Sequence, residues 1–286
     1  MTLLGLDIGG TNLKAVSLSP EGRVLASVTV PAGGAIPRET LLARVADTVR
    51  GIAGAVPARI GIAVGGALQP DGTMRLGSTN LPNLADLPLV ETFSALLGAP
   101  CRFEHDGRAA MRGEGWVGAA RGAANAMTLT FGTGIGAGLL LGGRIHPGAH
   151  LGAGEIGVWR LAPPPETGDW LSVEDIAAPG GFAFRRRGLD YATLVAAPAS
   201  DADRAGLFGL VGRTIANAHT LLDLEVVVLV GGVTALGEPF RAAVAAAFEA
   251  ACPAGFAHGL AIRLGELGPY CGAIGAAALW RDELPA

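Results

Sequence analysis

The chain has 286 residues, a formal net charge of −4 at pH 7 and an apolar fraction of 50%, and 45 of its residues are glycine. The length exceeds one ordinary hydrophobic core and predicts two lobes, while the slightly acidic balance argues against nucleic-acid binding. No apolar run approaches the ~20 residues of a membrane span, and three widely separated cysteines form neither a disulfide framework nor a zinc pattern. Since the N-terminus enters an apolar run without a signal-peptide core, we expect a cytoplasmic protein.

Strand and helix signals alternate along the first hundred residues. Apolar runs at 3–8 and 15–18 and an alternating stretch at 24–30 predict a three-stranded meander. Helical spacing over 37–52 precedes a buried strand at 60–64, which ends in Gly65-Gly66. A short helix at 89–97 and a strand at 101–104 follow, and another helix is predicted after Asp106.

The second half of the chain repeats this plan with variation. Strands are predicted at 126–131, 138–141 and 226–230, and helices at 205–222 and 238–251. Strands that are apolar on both faces predict a sheet with helices on each side. We therefore predict a duplicated α/β fold with a cleft between its halves and ligands at the carboxyl ends of the strands.

The first candidate site is a turn that follows the opening strand, Asp7-Ile8-Gly9-Gly10-Thr11-Asn12. Its two glycines allow backbone N–H groups to approach a phosphate. The acid is placed to hold Mg²⁺ through water, because phosphate oxygens fill the remaining coordination positions. The alternative is an ordinary type I′ hairpin, for which Gly-Gly is also favoured.

The second candidate site, Gly132-Thr133-Gly134, follows a strand in the other half of the chain. Two such turns at equivalent points of a duplicated domain would grip a phosphate chain from both sides. The segment is not a Walker loop, which needs Gly-Lys-Ser/Thr at the start of a helix, nor a dinucleotide fingerprint.

The third candidate site is a carboxylate at the end of a strand, in Glu104-His105-Asp106-Gly107. Phosphoryl transfer to an alcohol needs a carboxylate within hydrogen-bond reach of the hydroxyl group, and Asp106 is placed for that role. The alternative is that Asp106 serves only as the N-cap of the following helix. Two further acids, Glu155 and Glu174, could accept paired hydrogen bonds from vicinal sugar hydroxyls, or could be ordinary surface acids.

Taken together, these segments resemble the ROK family (repressor, open reading frame, kinase) of bacterial sugar kinases and sugar-responsive repressors. The resemblance runs along nearly the whole chain in matching order and spacing. The matching segments are Asp7 to Thr11, Gly65-Gly66, Ser78 to Leu81, Glu104-His105-Asp106, Gly132 to Gly138, Gly154 to Gly157, Val230-Gly231-Gly232 and Gly272 to Ala278.

The resemblance implies an actin-like, hexokinase-type (ribonuclease H-like) fold of two lobes, one formed by 1–107 with 268–286 and the other by 108–267. It implies that Asp106 is the catalytic base and that a homodimer binds ATP with Mg²⁺. The implied phosphate and nucleotide positions are Asp7, Gly9, Gly10, Thr11, Asn12, Gly132, Thr133, Gly134, Gly231 and Gly232. The implied sugar-pocket positions are Gly66, Thr79, Asn80, His105, Glu155 and Glu174.

Three departures from the family pattern affect the predicted pocket. His105 stands where the family usually has Asn, and Val158 stands where it usually has His. The cysteine-rich zinc loop is also missing between Glu155 and Glu174, so we predict no structural zinc. The first glycine turn begins at residue 7, which leaves no room for the helix-turn-helix of the family's repressors and favours a stand-alone kinase.

Three functions remain open at the level of the sequence. The first is an ATP-dependent hexose kinase with the 6-hydroxyl of glucose as the default acceptor. The second keeps the reaction but takes an amino or N-acylated hexose, or polyphosphate as the donor. The third is a sugar-binding protein with weak kinase activity, which the substitutions at His105 and Val158 suggest.

Overall fold

Two five-stranded sheets, one in each half of the chain, form the framework of the protein. The computed structural model describes residues 2–33, 36–53, 59–69, 73–75, 81–132, 134–162, 171–174, 201–257 and 259–283. In both sheets an antiparallel meander is followed by two parallel strands, which confirms the predicted duplication.

The first sheet has the order β3-β2-β1-β4-β7. Its strands are β1 (Leu3–Ile8), β2 (Asn12–Leu18), β3 (Val24–Pro31), β4 (Ile60–Val64) and β7 (Cys101–His105), and β5 (Ala67–Leu68) pairs separately with β6 (Met74–Arg75). Helices α1 (Arg38–Ala53) and α2 (Leu89–Leu97) belong to the same half. Every residue of β4 is buried, as expected for a parallel strand covered on both faces.

The second sheet has the order β10-β9-β8-β13-β14. Its strands are β8 (Ala126–Phe131), β9 (Ile135–Leu141), β10 (Arg144–Ile145), β13 (Val226–Gly231) and β14 (Ala261–Leu264), and β11 (Arg160–Ala162) pairs separately with β12 (Leu171–Ser172). The long helices of this half are α4 (Asp201–Leu222) and α5 (Glu238–Ala251). Each sheet contributes to its own hydrophobic core, so each half has the interior of a separate lobe.

Two helices connect the lobes, α3 (Asp106–Val117) and α6 (Cys271–Ala277). Helix α3 leaves the first sheet and packs on β8 and β9 of the second, while α6 packs back on β1 and β4. The two helices cross closely, because a Cβ on Gly275 would lie 1.7 Å from the carbonyl oxygen of Ala109. This crossing brings the end of β7 into contact with the second lobe.

Short 3-10 helices complete the described structure at Pro82–Leu84, Ile156–Val158, Gly232–Leu236, Gly268–Tyr270 and Ala278–Glu283. Across the part of the chain that the structure describes, no helix is both long and apolar enough to cross a lipid bilayer.

Candidate active site

The predicted site residues of the first lobe meet at one edge of the first sheet. In the parallel register Ile8 lies beside Val64, and Val64 lies beside His105. The three strands therefore end together, and the first glycine turn (residues 7–12), Gly65-Gly66 and Asp106 all follow from that edge. This is the position at which parallel α/β sheets bind their ligands.

Asp7 is held by a lysine that the sequence analysis did not select. The antiparallel register of β1 and β2 places Lys14 opposite Asp7, and the Lys14 Nζ lies 3.2 Å from the Asp7 Oδ2. Burial raises the pKa of the Asp7 carboxyl above its usual value; Lys14 opposes that rise, and the negative charge of Asp106 adds to it. The two acids are thus close enough to repel each other.

Asp106 is the first residue of α3, and the N-cap position belongs to His105, which makes no side-chain capping bond. The Asp106 Oδ1 accepts a hydrogen bond from the Gly107 N–H at 2.7 Å. A Cβ on Gly65 would lie 3.1 Å from the Asp106 Oδ2, so Gly65 leaves room for this oxygen. The Asp106 side chain is 49% exposed, and a ligand can therefore reach it.

His105 joins Asp106 to Glu155. Its Nε2 lies 3.3 Å from the Asp106 Oδ1 and 3.3 Å from the Glu155 Oε1, while the residue itself is 7% exposed. Its buried Nδ1 has no hydrogen-bond partner among the described residues. The structure therefore brings the predicted base, a predicted pocket acid and the histidine that departs from the family pattern into one cluster.

Glu155 belongs to the pocket loop (residues 147–158), which lies along β9. The Gly154 carbonyl accepts a hydrogen bond from the Ala137 N–H at 3.0 Å, and a Cβ on Gly154 would lie 2.3 Å from the Ala137 carbonyl oxygen. Gly154 also has a φ of +96°, so glycine is required there for both reasons. Val158, at the end of the loop, is exposed.

Glu174 lies between the pocket loop and the second glycine turn (residues 132–136). Its Oε2 is 3.4 Å from the Ile135 N, and a Cβ on either Gly134 or Gly157 would lie 2.9 Å from this carboxylate. Glu174 therefore contacts the turn predicted for phosphate as well as the loop that carries Glu155.

The glycine turns of the two lobes follow equivalent strands of their sheets but close with hydrogen bonds of different span. In the first, the Gly9 N–H donates to the Asn12 carbonyl at 3.0 Å, and Thr11 and Asn12 are exposed; in the second, the Gly132 N–H donates to the Gly134 carbonyl at 3.0 Å. Gly231 pairs with Phe131 in the parallel register, so Gly231-Gly232 follows the same sheet edge as the second turn. A φ of +105° and the nearby Phe131 carbonyl both require glycine at position 231.

Several predictions fall on residues that the structure does not describe. Thr79, Asn80 and Thr133 lie outside the described residues, as do residues 163–170 of the segment between Glu155 and Glu174, where the family's zinc loop would occur. The described residues contain no group of three or more candidate metal ligands. Gly66 is described at the end of β4 with a φ of +126°.

Sequence reasoning also missed a buried ion pair behind the site. The Arg108 Nε lies 2.6 Å from the Glu104 Oε1, and the Arg108 side chain is 1% exposed. Glu104 lies in β7 and Arg108 in α3, so the i, i+4 rule for helix pairs does not apply and the sequence carried no signal for this contact. For Lys14, the signal is a lysine in an otherwise buried strand.

Comparison with known proteins identifies the family to which the site belongs. The ROK family model matches residues 3–283. A glucokinase from Halalkalibacterium halodurans is 28% identical over 98% of this chain and 95% of its own, and an N-acetylmannosamine kinase from Yersinia pseudotuberculosis is 31% identical over 80% and 82%. The crystal structure of a ROK family glucokinase from Streptomyces griseus with glucose and AMPPNP superposes with a TM-score of 0.84 at 23% identity, covering 99% of this chain and 100% of that one. This likeness confirms the predicted actin-like, hexokinase-type fold.

Proposed function

The chain belongs to the ROK family, and we propose that it is a sugar kinase that transfers the γ-phosphate of ATP to a hexose hydroxyl, with the 6-hydroxyl of glucose as the favoured acceptor. One observation carries the proposal: Asp106, half exposed at the end of β7, is joined through His105 to Glu155 beside the edge at which the first glycine turn ends. A base and a hydroxyl-binding acid thus lie next to a turn suited to phosphate.

In the proposed reaction, the sugar hydroxyl donates a hydrogen bond to Asp106 and its oxygen attacks the γ-phosphorus of ATP. The bond between the γ-phosphorus and the oxygen that bridges it to the β-phosphorus breaks, ADP leaves, and the hydroxyl proton passes to Asp106. Glu155 accepts hydrogen bonds from sugar hydroxyls and orients the acceptor. The Gly107 N–H donates a hydrogen bond to the Asp106 Oδ1 and so orients the carboxylate toward its substrate.

The residues at the first glycine turn fit Mg²⁺. Burial and the negative charge of the neighbouring Asp106 both disfavour the charged form of Asp7, so a divalent cation bound there would relieve the repulsion between the two acids. Asp7 would hold the ion through water, and the bound ion would neutralise charge on the phosphates. The phosphates themselves would be held by Gly9, Gly10, Thr11 and Asn12 of one lobe and by the second glycine turn of the other, with Gly231-Gly232 near the nucleoside.

We further propose the lobe division 1–107 with 268–286 against 108–267, a homodimer in the cytoplasm, and a pocket that contains no zinc. Gly66, Thr79, Asn80, His105, Glu155 and Glu174 are the proposed sugar-pocket positions. Light scattering of the purified protein tests the dimer, and elemental analysis tests for zinc.

A second candidate acceptor is an N-acylated hexose. The Yersinia relative named as an N-acetylmannosamine kinase supports this alternative. His105 and Val158 alter the pocket relative to the family pattern, and they keep open a sugar-binding protein with weak activity. The missing cysteine-rich loop between Glu155 and Glu174 keeps open polyphosphate as the donor.

The test is a coupled assay of ADP release with a panel of hexoses, amino hexoses and N-acyl hexoses. The variant Asp106→Asn should lower kcat by about 10²- to 10⁴-fold, because the hydroxyl loses its base. Asp47→Asn is the matched control, since Asp47 is exposed on α1 and pairs with Arg50, and its turnover should equal that of the wild type.

Normal turnover by Asp106→Asn would refute the base assignment, and sugar binding by calorimetry without ADP release from any sugar would favour the binding protein. Polyphosphate in place of ATP, assayed by the sugar phosphate formed, tests the alternative donor.

A further inference from the structure

Arg108 lies directly behind the cluster of Asp106, His105 and Glu155. It is the largest fully buried side chain in the described part of the protein, so it cannot touch a ligand in the cleft. Burying a guanidinium group costs free energy unless its N–H groups are paired with acceptors. The partners of Arg108 therefore show what this residue does.

Arg108 makes two contacts that lead to different parts of the site. Its Nε pairs with the Glu104 Oε1 at 2.6 Å, and its Nη1 donates to the carbonyl of Leu151 at 2.7 Å. The Glu104 Oε1 also accepts the backbone N–H of His105 at 3.0 Å. One end of this network thus fixes the backbone that precedes the base, and the other end fixes the pocket loop.

Leu151 is the point at which the pocket loop needs an anchor. Its φ of +59° puts a non-glycine residue in the left-handed region, which costs about 1–2 kcal/mol unless the surroundings hold it. A charge-assisted hydrogen bond from a rigid, planar guanidinium to its carbonyl supplies that restraint. Glu155 lies four residues further along the same loop.

We propose that Arg108 is a positioning residue that sets the distance between Asp106 and Glu155. Through its contacts with Leu151 and Glu104, Arg108 connects the pocket loop to the end of β7. His105 contacts both carboxylates directly. The proposal rests on the proposed sugar kinase activity. Because a misplacement of about 1 Å can cost 10²-fold in rate, loss of the anchor should be visible in sugar turnover.

Arg108→Lys tests the proposal with the charge retained. A lysine is a single point donor and cannot serve Glu104 and Leu151 in two directions, but its positive charge still balances that of Glu104. Arg112 contacts only the other oxygen of Glu104, with its Nη2 3.3 Å from Oε2. We expect kcat/KM for the sugar to fall about 10- to 100-fold with an unchanged KM for ATP, and the amides of 148–156 to exchange hydrogen faster. Arg50→Lys on the exposed face of α1 is the matched control and should change neither readout.

Glu104→Gln/Arg108→Met separates positioning from stability. Replacing both charges should restore the stability lost in Arg108→Met alone, but it should leave kcat/KM for the sugar low, because Leu151 still lacks its donor. Full recovery of activity in the double variant, or wild-type kcat/KM in Arg108→Lys, would overturn the proposal. If the wild type phosphorylates no sugar, the proposed function fails instead, and unchanged exchange at 148–156 in Arg108→Lys would still refute the anchor by itself.

Discussion

Glu114 offers a sharp test of how the end of α3 is fixed to the second lobe. Its side chain is fully buried and accepts three backbone N–H groups: Ala119 at 2.8 Å and Glu266 at 3.3 Å on Oε2, and Leu267 at 3.2 Å on Oε1. A glutamine at this position has one acceptor oxygen and presents an NH₂ group to the remaining donor. Glu114→Gln should therefore destabilise the protein even though its shape is nearly the same.

The magnitude follows from the number of donors left without an acceptor. With the amide oxygen in the place of Oε2, the Leu267 N–H faces another donor, and one unsatisfied buried group costs about 1–3 kcal/mol. Urea unfolding followed by circular dichroism measures the loss. Glu249→Gln on α5 is the control, because Glu249 is exposed and its replacement should change stability by less than about 0.5 kcal/mol.

The pH dependence of this loss of stability gives a second test of the role of Glu114. Burial raises the pKa of the Glu114 carboxyl, and the three N–H groups oppose that rise only in part. A raised pKa in the folded state means that the associated stability is fully present below the unfolded pKa of about 4.5 and is lost as the pH rises through the folded pKa. The difference in unfolding free energy between the wild type and Glu114→Gln should therefore narrow as the pH rises above about 4.5. A gap that widens would show that the hydrogen bonds outweigh burial and would refute the reasoning.

Three glycines provide further predictions, each measured against the wild type. Gly65→Ala places a Cβ 3.1 Å from the Asp106 Oδ2, so the carboxylate must move by a few tenths of an ångström. We expect kcat to fall about tenfold with little change in stability to urea. An unchanged kcat would show that Gly65 does not affect the position of the base. Gly275→Ala places a Cβ 1.7 Å from the Ala109 carbonyl oxygen and should cost about 3 kcal/mol or more in urea unfolding by forcing α3 and α6 apart; a loss below 1 kcal/mol would contradict that crossing. Gly51→Ala on α1 meets nothing within 4 Å and should stabilise the protein by about 0.5–1 kcal/mol, whereas a destabilisation would argue against the helical backbone at that residue.

The fold was predictable because its signals are local and occur twice. Apolar runs identified eight of the ten strands of the two sheets but not β10 or β14, and the repetition of strand, glycine turn and strand indicated the duplication. The same pattern located Asp7 and Asp106, since residues that follow parallel strands must meet at one edge of a sheet. The sequence missed the early start of β9 at Ile135, because Ile135-Gly136-Ala137-Gly138 reads as part of a turn.

The contacts of the site were not predictable, because they join segments far apart in the sequence. Arg108 reaches Leu151 across 43 residues, and Lys14 faces Asp7 only because of the exact register of β1 and β2. Asp106 resembled a helix N-cap in sequence, but the helix begins one residue earlier than that interpretation requires, so His105 takes the N-cap position.

The charges of the first lobe fall into two groups that act on each other. Lys14 holds Asp7 on the side proposed for phosphate, and His105 holds Asp106 and Glu155 on the side proposed for sugar. The groups are coupled, because the charge of Asp106 raises the pKa of Asp7. The same repulsion must act on Asp106 in return, since the interaction between two charges is mutual. In the proposed reaction, a cation bound at Asp7 would therefore offset this repulsion as well as neutralise charge on the phosphates, and it would do so beside the acid that takes the hydroxyl proton.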